Sequence, residues 1–348
     1  MNHVVVHKYI KGGFLMKKNL VALILIICMI MPLFAQGSAE QTGEKEYLLR
    51  FGHVLTPEDT FNKQYLEWAK AVSARTDGKL KIEVYPSGQL GVEEDVLEQI
   101  RLGSNVGWQT DPARLGNYVK EWGILYAPFF LSGIEDVENL LESKVVKSWV
   151  DKLEKEHQIK VISYAWVQGY RNVFTNKPGK SPAELKGSLI RTANAPAWLA
   201  TVNSLGSKAV ALAYGDLYNG IQTKVVDGCE LPYAAAKQLK VYEVAKYIVE
   251  TEHIFQLNVM VASSAWFNKL PADYQKILIE ECDKAGLAAS QILLKNAEAD
   301  RKFMIEKGMK YIPHSELDMD AFIASGQKAY DDLGLAEAKK AVYAELGK

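Results

Sequence analysis

Hydrophobic and polar positions along residues 47–110 follow two periods in turn. Tyr47–Leu55 alternates apolar and polar residues, as a half-buried strand does. Thr56 follows as the predicted N-cap of a helix, with Pro57 at its first position. A second strand pattern (KLKIEVYP), a second helix pattern (VEEDVLEQIRLG) and a short strand around Val106–Gln109 come next. This β-α-β-α order predicts an α/β fold with a doubly wound sheet.

The same order recurs in Leu185–Pro232, where two amphipathic helical segments separate three short β-prone segments. The first segment, Ser188–Thr192, carries one arginine, Arg191, ahead of the turn residues Asn194 and Pro196. Open α/β sheets bind ligands at the carboxyl ends of their strands, and a guanidinium offers donors that match a carboxylate. The pattern predicts a cleft built around Arg191. A structural salt bridge or a solvated edge charge is the alternative role for this arginine.

The later part of the chain predicts longer elements. Ile254–Phe267 is a mostly apolar run typical of a long strand. Pro271 opens a helical pattern that continues to about Lys307, with only Gly286 to bend it. Because ordinary globular helices run ~8–20 residues, we expect this helix to bridge two lobes rather than pack on one. The tail adds a predicted strand and two helices.

The N-terminus has a different character from the rest of the chain. Two lysines precede the apolar run Leu20–Ala35, and small residues follow it. This pattern predicts a secretory signal peptide over residues 1–39, with Met16 as the expected start. The run falls short of the ~20 residues that span a bilayer, so we expect an exported protein rather than a membrane-anchored one.

Composition and charge narrow the classes of partner. The 348 residues are 48% hydrophobic and 24% charged, which suits a two-domain soluble protein. Residues 1–39 hold four lysines and no acid, so 37 basic and 42 acidic residues remain beyond them. This balance, without a basic stripe, argues against nucleic acid or an anionic membrane as partner. The isolated Cys229 and Cys282 favour buried free thiols over a disulfide.

The chain is poor in catalytic patterns. Beyond residue 39 the sequence contains no H-x-x-x-H pair, so a zinc site is not predicted. The sequence also contains neither a nucleophile elbow nor a phosphate-binding glycine loop. The run Glu93-Glu94-Asp95 predicts first-turn helix charges. His53, at the end of the first strand, is a candidate for the cleft, and a structural histidine is the favoured interpretation. We therefore expect solute binding, with neither an enzymatic activity nor a cofactor.

Several stretches also carry a specific resemblance. They are LRFGHVL, YPSGQLG, APFFL, GYRNVFTNKPGKSPAELKG, LIRTANAPAW and LAYGDLYNGIQTKVVDGCELP. Their order and spacing, from about Tyr47 to Tyr330, resemble the substrate-binding proteins of tripartite ATP-independent periplasmic (TRAP) transporters, the C4-dicarboxylate-binding (DctP) family. The resemblance implies a periplasmic, two-lobed solute-binding fold (type II-like), with a long helix spanning both lobes.

The resemblance also implies boundaries and partners. We expect lobe I to comprise residues 40–168 and 257–296, and lobe II residues 169–256 and 297–348, with the ligand cleft between them. In this family the loaded protein delivers its ligand to a membrane permease, and some relatives work beside a periplasmic tetratricopeptide-repeat protein.

Residue by residue, the resemblance places the family's carboxylate-binding arginine on Arg191 and its second arginine on Arg171. Asn194 and Tyr214 match two further family positions. Asp111 falls where relatives have an acidic residue in the cleft. The resemblance thus implies that these five residues bind the ligand, with Arg191 and Arg171 holding its acidic head group.

Leu231 departs from the family pattern. Relatives commonly carry an asparagine at this position of a Q-E-N-P sequence, and a leucine cannot donate a hydrogen bond. Trp198 adds apolar surface close to Arg191, and Trp108 and Trp166 are further candidates. We therefore predict that the ligand is an organic acid, specifically a monocarboxylate with an apolar body. The alternatives are an exported carrier or sensor of a neutral hydrophobic ligand and, with no supporting motif, an enzyme that reuses the fold.

Overall fold

The computed structural model describes residues 45–348, so the predicted signal peptide lies outside the described residues. Nine strands of this part form one sheet. They are β1 (Tyr47–Gly52), β2 (Leu80–Tyr85), β3 (Val106–Thr110), β4 (Ile159–Thr175), β5 (Leu189–Thr192), β6 (Lys208–Ala211), β7 (Gly228–Pro232), β8 (Tyr247–Ser263) and β9 (Lys310–Ile312).

Twelve α-helices in the same residues complete the α/β architecture. They are α1 (Thr60–Arg75), α2 (Glu93–Arg101), α3 (Pro112–Leu115), α4 (Ile134–Glu142), α5 (Lys144–His157), α6 (Pro196–Ser204), α7 (Leu217–Gln222), α8 (Tyr233–Gln238), α9 (Ser264–Phe267), α10 (Ala272–Glu306), α11 (Met319–Leu333) and α12 (Ala336–Leu346). Within residues 45–348, none of the helices combines the length and the apolar composition needed to cross a membrane.

The sheet is mixed rather than wholly parallel. Its order is β2-β1-β3-β8-β4-β7-β5-β6, and β9 pairs with β8. The outer groups β2-β1-β3 and β7-β5-β6 are parallel, as their β-α-β order predicts. The central strands β4 and β8 are antiparallel to each other and to their outer neighbours β7 and β3. The parallel groups were predicted from the sequence, but this antiparallel centre was not.

Each central strand is 17 residues long. One part of β8 pairs with β3 and one part of β4 pairs with β7, so the two strands together join the two parallel groups. The register between β4 and β8 shifts several times, and Gly169 and Glu252 have positive φ angles. Such irregularities bend a strand pair and disrupt its ladder locally. The long strand expected at Ile254–Phe267 in fact begins earlier, at Tyr247, and its last residues form α9.

The start of α1 differs from the sequence prediction. Thr56 does not cap the helix; instead Asp59 does, and its side chain accepts a hydrogen bond from the Phe61 amide at 2.8 Å. Asp is as good an N-cap as Thr, so the helix begins at the second suitable residue and Pro57 lies in the preceding turn.

The long helix α10 has 35 residues, as predicted, and packs against β4, α1 and α8. Gly286 of this helix lies against Trp166 of β4. A Cβ atom there would lie 2.7 Å from Trp166 Nε1, so the glycine lets the helix approach β4 closely. The helix thereby ties elements at both ends of the sheet together. Residues Glu46–Lys348 form one compact unit, and the predicted lobe boundaries stay predictions.

Candidate ligand-binding cleft

A cavity of about 600 Å³ lies where β3, β5 and β7 end and where the central strands β4 and β8 cross the middle of the sheet. Its lining therefore combines loop residues that follow parallel strands with side chains from two rigid strands. Seven of the residues singled out from the sequence line it, namely Asp111, Arg171, Arg191, Asn194, Trp198, Tyr214 and Leu231. The cavity is the natural candidate for a ligand site, since its volume lies in the range of ~300–1,000 Å³ for small-molecule sites.

Arg191 is held in the wall of this cavity without a counter-ion. Its Nε atom donates to the Leu212 carbonyl at 2.9 Å, and its guanidinium lies 5.9 Å from the centre of the Tyr214 ring. Neither terminal nitrogen hydrogen-bonds to any residue from 45 to 348, and no acid of that part lies within ion-pair distance. Burial lowers the pKa of Arg191 to about 10, so the group is still protonated at neutral pH.

Arg171 lies in the same wall but, unlike Arg191, has a counter-ion. Its Nε atom donates to the carboxylate of Glu230, and its terminal nitrogens donate to the Glu230 carbonyl and the Gln256 side chain. Its guanidinium also stacks over Trp198, 4.5 Å from the ring centre. All three guanidinium nitrogens of Arg171 are therefore used within the protein.

Glu230 is the centre of a buried polar network behind the cavity. It also accepts a hydrogen bond from Thr192 Oγ1 at 2.8 Å, and His253 Nε2 lies 3.5 Å from its carboxylate. Burial alone would raise the pKa of Glu230, but the charge of Arg171 and the hydrogen bonds hold it at about 2. Glu230 is thus ionised and neutralises Arg171, which leaves Arg191 as the uncompensated charge on this wall.

A row of amide side chains forms the cavity floor. These side chains were not predicted from the sequence to line the site. Asn258 Oδ1 accepts from Gln109 Nε2 at 3.1 Å and from Gln256 Nε2 at 3.3 Å, and Asn258 Nδ2 donates to Gln168 Oε1 at 3.3 Å. The signal was available, because Gln256 and Asn258 are two residues apart in the otherwise apolar run 254–262 of β8 and therefore share one face.

Another part of the lining carries acids around a third arginine, Arg114. Its guanidinium lies 3.4 Å from both Glu93 and Glu94 and forms an ion pair with Asp111. Burial raises the pKa of Glu93 to about 7, although the charge of Arg114 opposes the shift. Glu93 Oε1 and Thr110 Oγ1 are buried without a hydrogen-bond partner among the described residues. Glu93 and Glu94 do lie in the first turn of α2, as predicted, but they also line the cavity.

The remaining predicted residues occupy distinct parts of the lining. Trp198 packs beside Asp111, to which its Nε1 atom donates at 3.2 Å, and Asp111 also caps α3. Leu231 is buried at the end of β7, and Tyr214 lies in the short turn after β6. Asn194 is exposed just beyond β5. Together they give the cavity an apolar side near Arg191 and a polar opening.

Several other predictions from the sequence concern residues that do not line the cavity. Trp108 and Trp166 are fully buried in the core and do not line it, so the prediction that they add apolar ligand-facing surface is wrong. His53 is buried and hydrogen-bonds to Asn62 at 3.0 Å, which confirms the structural interpretation. The free-thiol prediction is also confirmed, since Cys229 and Cys282 are buried and unpaired.

Comparison with known families adds a finding that covers most of the chain. The sequence model of the bacterial extracellular solute-binding proteins, family 7 (DctP), matches residues 51–336. The 2,3-diketo-L-gulonate-binding periplasmic protein YiaO of Escherichia coli (strain K12) is 26% identical over 275 residues, which cover 79% of this chain and 83% of that protein.

Solved structures agree with this result. The apo open structure of a TRAP periplasmic solute-binding protein from Escherichia fergusonii has a TM-score of 0.76 at 32% identity and covers 86% of this chain and 99% of its own. A TRAP periplasmic solute-binding protein from Ochrobacterium anthropi, with bound L-fuconate, has a TM-score of 0.81 at 26% identity, with 86% and 99% coverage. The fold and the sequence thus point to one family.

Proposed function

Since the chain belongs to family 7 of the bacterial extracellular solute-binding proteins, the periplasmic binding proteins of TRAP transporters, we propose that it captures an organic acid for a membrane permease. The family consists of transport proteins rather than enzymes. The observation that carries the proposal is Arg191, a buried guanidinium with two unbonded terminal nitrogens at a 600 Å³ cavity. A carboxylate fits such a fork with two parallel hydrogen bonds.

We propose that the ligand carries one carboxylate rather than two. Of the two arginines on this wall, Arg171 is already neutralised by Glu230, so only one positive charge awaits a partner. Another part of the lining holds Glu93, Glu94 and Asp111 around Arg114. A second carboxylate directed there would meet excess negative charge, which disfavours a dianion.

The body of the ligand is proposed to be amphipathic. Leu231, Leu212 and Trp198 supply the apolar surface near the head group, which favours the monocarboxylate with an apolar body expected from the sequence. The amide floor, through Gln256 and Asn258, adds donors and acceptors that a hydroxyl or carbonyl group of the ligand would satisfy. L-fuconate, bound by the Ochrobacterium protein, is itself an acid with one carboxylate and several hydroxyls.

A thermal-shift screen tests the proposal. The panel contains alkanoates, sugar acids such as D-glucuronate, the dicarboxylate succinate and the neutral amide of each monocarboxylate. At ~100 times its dissociation constant, a true ligand adds ~2.7 kcal/mol to the free energy of unfolding. We expect monocarboxylates to bind and the matched amides not to bind. Equal stabilisation by an acid and its amide would instead support the carrier of a neutral ligand, and native mass spectrometry of co-purified ligand would identify it.

A further inference from the structure

A second cavity, of about 330 Å³, borders the helices α3 and α6. Ala113 of α3 and Ala197 of α6 line it, whereas their sequence neighbours Arg114 and Trp198 line the ligand cleft. The two helices therefore separate two cavities. The third wall of the second cavity is the turn between α11 and α12, far along the chain from either helix.

The walls of this second cavity are apolar and built from small residues. Leu333 and Leu335 form one side, and Gly123, which has no side chain, leaves space on the other. A Cβ atom on Gly123 would lie 3.5 Å from Ala197 Cβ and 3.6 Å from Leu335 Cδ1, which are ordinary van der Waals distances. The space is thus open to a methyl-sized group without any movement of the walls.

The cavity has one uncompensated charge at its edge. Of its two charged lining residues, Asp332 pairs with Lys328 at 2.6 Å. The other, Lys120, forms no ion pair with any residue in the described part of the chain. Its ammonium group lies over the α11–α12 turn, where a Cβ atom on Gly334 would be 2.8 Å away. The cavity therefore combines an apolar interior with a single available cation.

We propose that this cavity is a second binding site, for a short-chain aliphatic carboxylate. The carboxylate lies against Lys120, and the aliphatic chain packs against Leu333, Leu335 and Ala197. The volume is at the lower end of the range for small-molecule sites, ~300–1,000 Å³, which suits a small amphiphilic anion. Mostly apolar walls with one placed polar group are the usual chemistry of such sites. The site is independent of Arg191.

Sodium hexanoate is the probe for this site, measured by calorimetry on the Arg191→Ala variant of the mature protein. That variant lacks the anion anchor of the cleft, so the heat reports binding elsewhere. We expect one hexanoate per chain. Lys120→Gln is expected to weaken it about two- to fivefold, as the loss of an exposed ion pair does. Gly123→Leu, which fills the cavity, is expected to abolish it.

Matched controls separate this site from general surface binding. Lys144→Gln removes an exposed lysine with no ion pair in the described residues, on α5, and is expected to leave hexanoate binding unchanged. Hexanamide keeps the chain without the charge and is expected to bind as weakly as hexanoate binds to Lys120→Gln. Thermal denaturation checks that each variant is folded. No saturable binding in the Arg191→Ala variant, or binding that survives both Lys120→Gln and Gly123→Leu, would overturn the proposal, whatever the cleft binds.

Discussion

Two arginines in one cavity wall, Arg171 and Arg191, carry the same guanidinium group but differ in their hydrogen-bond and ion-pair partners. Arg171 gives all three guanidinium nitrogens to Glu230 and Gln256, whereas Arg191 gives one to a backbone carbonyl and leaves two unbonded. Both side chains are buried. Burying a charge without a counter-ion is costly, and a group kept in that state is a candidate for binding a ligand of opposite charge.

The difference teaches how to tell a supporting arginine from a ligand-binding one. Proximity to a cavity does not distinguish them, because Arg114, Arg171 and Arg191 all line it. The number of neighbouring carboxylates does distinguish them. Within ion-pair distance in residues 45–348, Arg114 has three carboxylates, Arg171 has one and Arg191 has none. We therefore propose that Arg191 binds the ligand head group and that Arg171 is a positioning residue.

The largest expected effect comes from removing the counter-ion of Arg171. Glu230→Gln leaves this arginine buried and unpaired, which we expect to lower the free energy of unfolding by about 3–5 kcal/mol in urea denaturation. Glu298→Gln, which breaks an exposed ion pair with Lys302, is the control and should change it by under ~1 kcal/mol. A small change in Glu230→Gln would mean that Arg171 does not depend on its partner, and the comparison would fail.

Acidification tests the same pair without a substitution. The pKa of Glu230 is held at about 2, below that of an unfolded carboxyl near 4.5. The stabilisation by this ion pair is therefore complete above pH ~4.5 and is lost as the pH falls towards ~2. In Glu230→Gln that part of the acid dependence should be absent.

Removing Arg191 should have the reverse pattern, with a large effect on affinity and a small one on stability. We expect Arg191→Ala to weaken binding of the best acid from the screen by about 2–5 kcal/mol, roughly 30- to several-thousand-fold. The unliganded protein should be as stable as before or more so, because a buried charge without a counter-ion is removed. Arg191→Lys keeps the charge without the fork and should bind with intermediate affinity in calorimetry. Unchanged affinity in Arg191→Ala would assign the head group elsewhere.

A smaller effect concerns the residue next to Glu230 in β7. Leu231→Asn restores the amide common among relatives, and we expect it to favour D-glucuronate over an alkanoate of similar length by about 1–3 kcal/mol. Calorimetry with both acids on the variant and the wild type measures the change in preference. If the preference did not change, Leu231 would lie outside the reach of the ligand body.

The smallest expected effect concerns the third arginine. The pKa of Glu93 beside Arg114 is raised to about 7, so its protonated form is favoured in the folded state and ionisation above that pH costs stability. Glu93→Gln should therefore raise the free energy of unfolding by about 1–2 kcal/mol at pH 8.5 and leave it unchanged at pH 4. Glu94→Gln, on the same arginine but with its carboxylate exposed, is the control. A loss of stability at pH 8.5 in Glu93→Gln would show that Arg114 needs this carboxylate.

Sequence patterns predicted most of the elements, because their signals are local. The parallel strand groups, the 35-residue α10 and the carboxyl-end position of Arg191 all follow from periodicity and connection order. The antiparallel centre could not be predicted in this way, since pairing between β4 and β8 joins residues that are 72 (Thr175 and Tyr247) to 104 (Ile159 and Ser263) positions apart in the sequence.

Residues that line the cavity could be predicted from the sequence, but the charge balance among them could not. The resemblance placed Arg171 beside Arg191 as a second anchor, and only the three-dimensional structure reveals that Glu230 neutralises it. The sequence pattern indicates no role for Glu230, and for Glu93 it predicts only a first-turn helix charge. An ion pair between residues on different strands leaves no pattern in a single sequence. The neutralisation of Arg171 by Glu230 therefore could not be predicted from the sequence.

The most direct test is a crystal structure of the protein with its bound acid. The account predicts that the ligand carboxylate accepts hydrogen bonds from both terminal nitrogens of Arg191, at the ~2.7–2.9 Å typical of such pairs, while Arg171 remains bonded to Glu230. A carboxylate bound instead to Arg171, with Glu230 displaced, or a ligand that does not contact Arg191 at all, would contradict it.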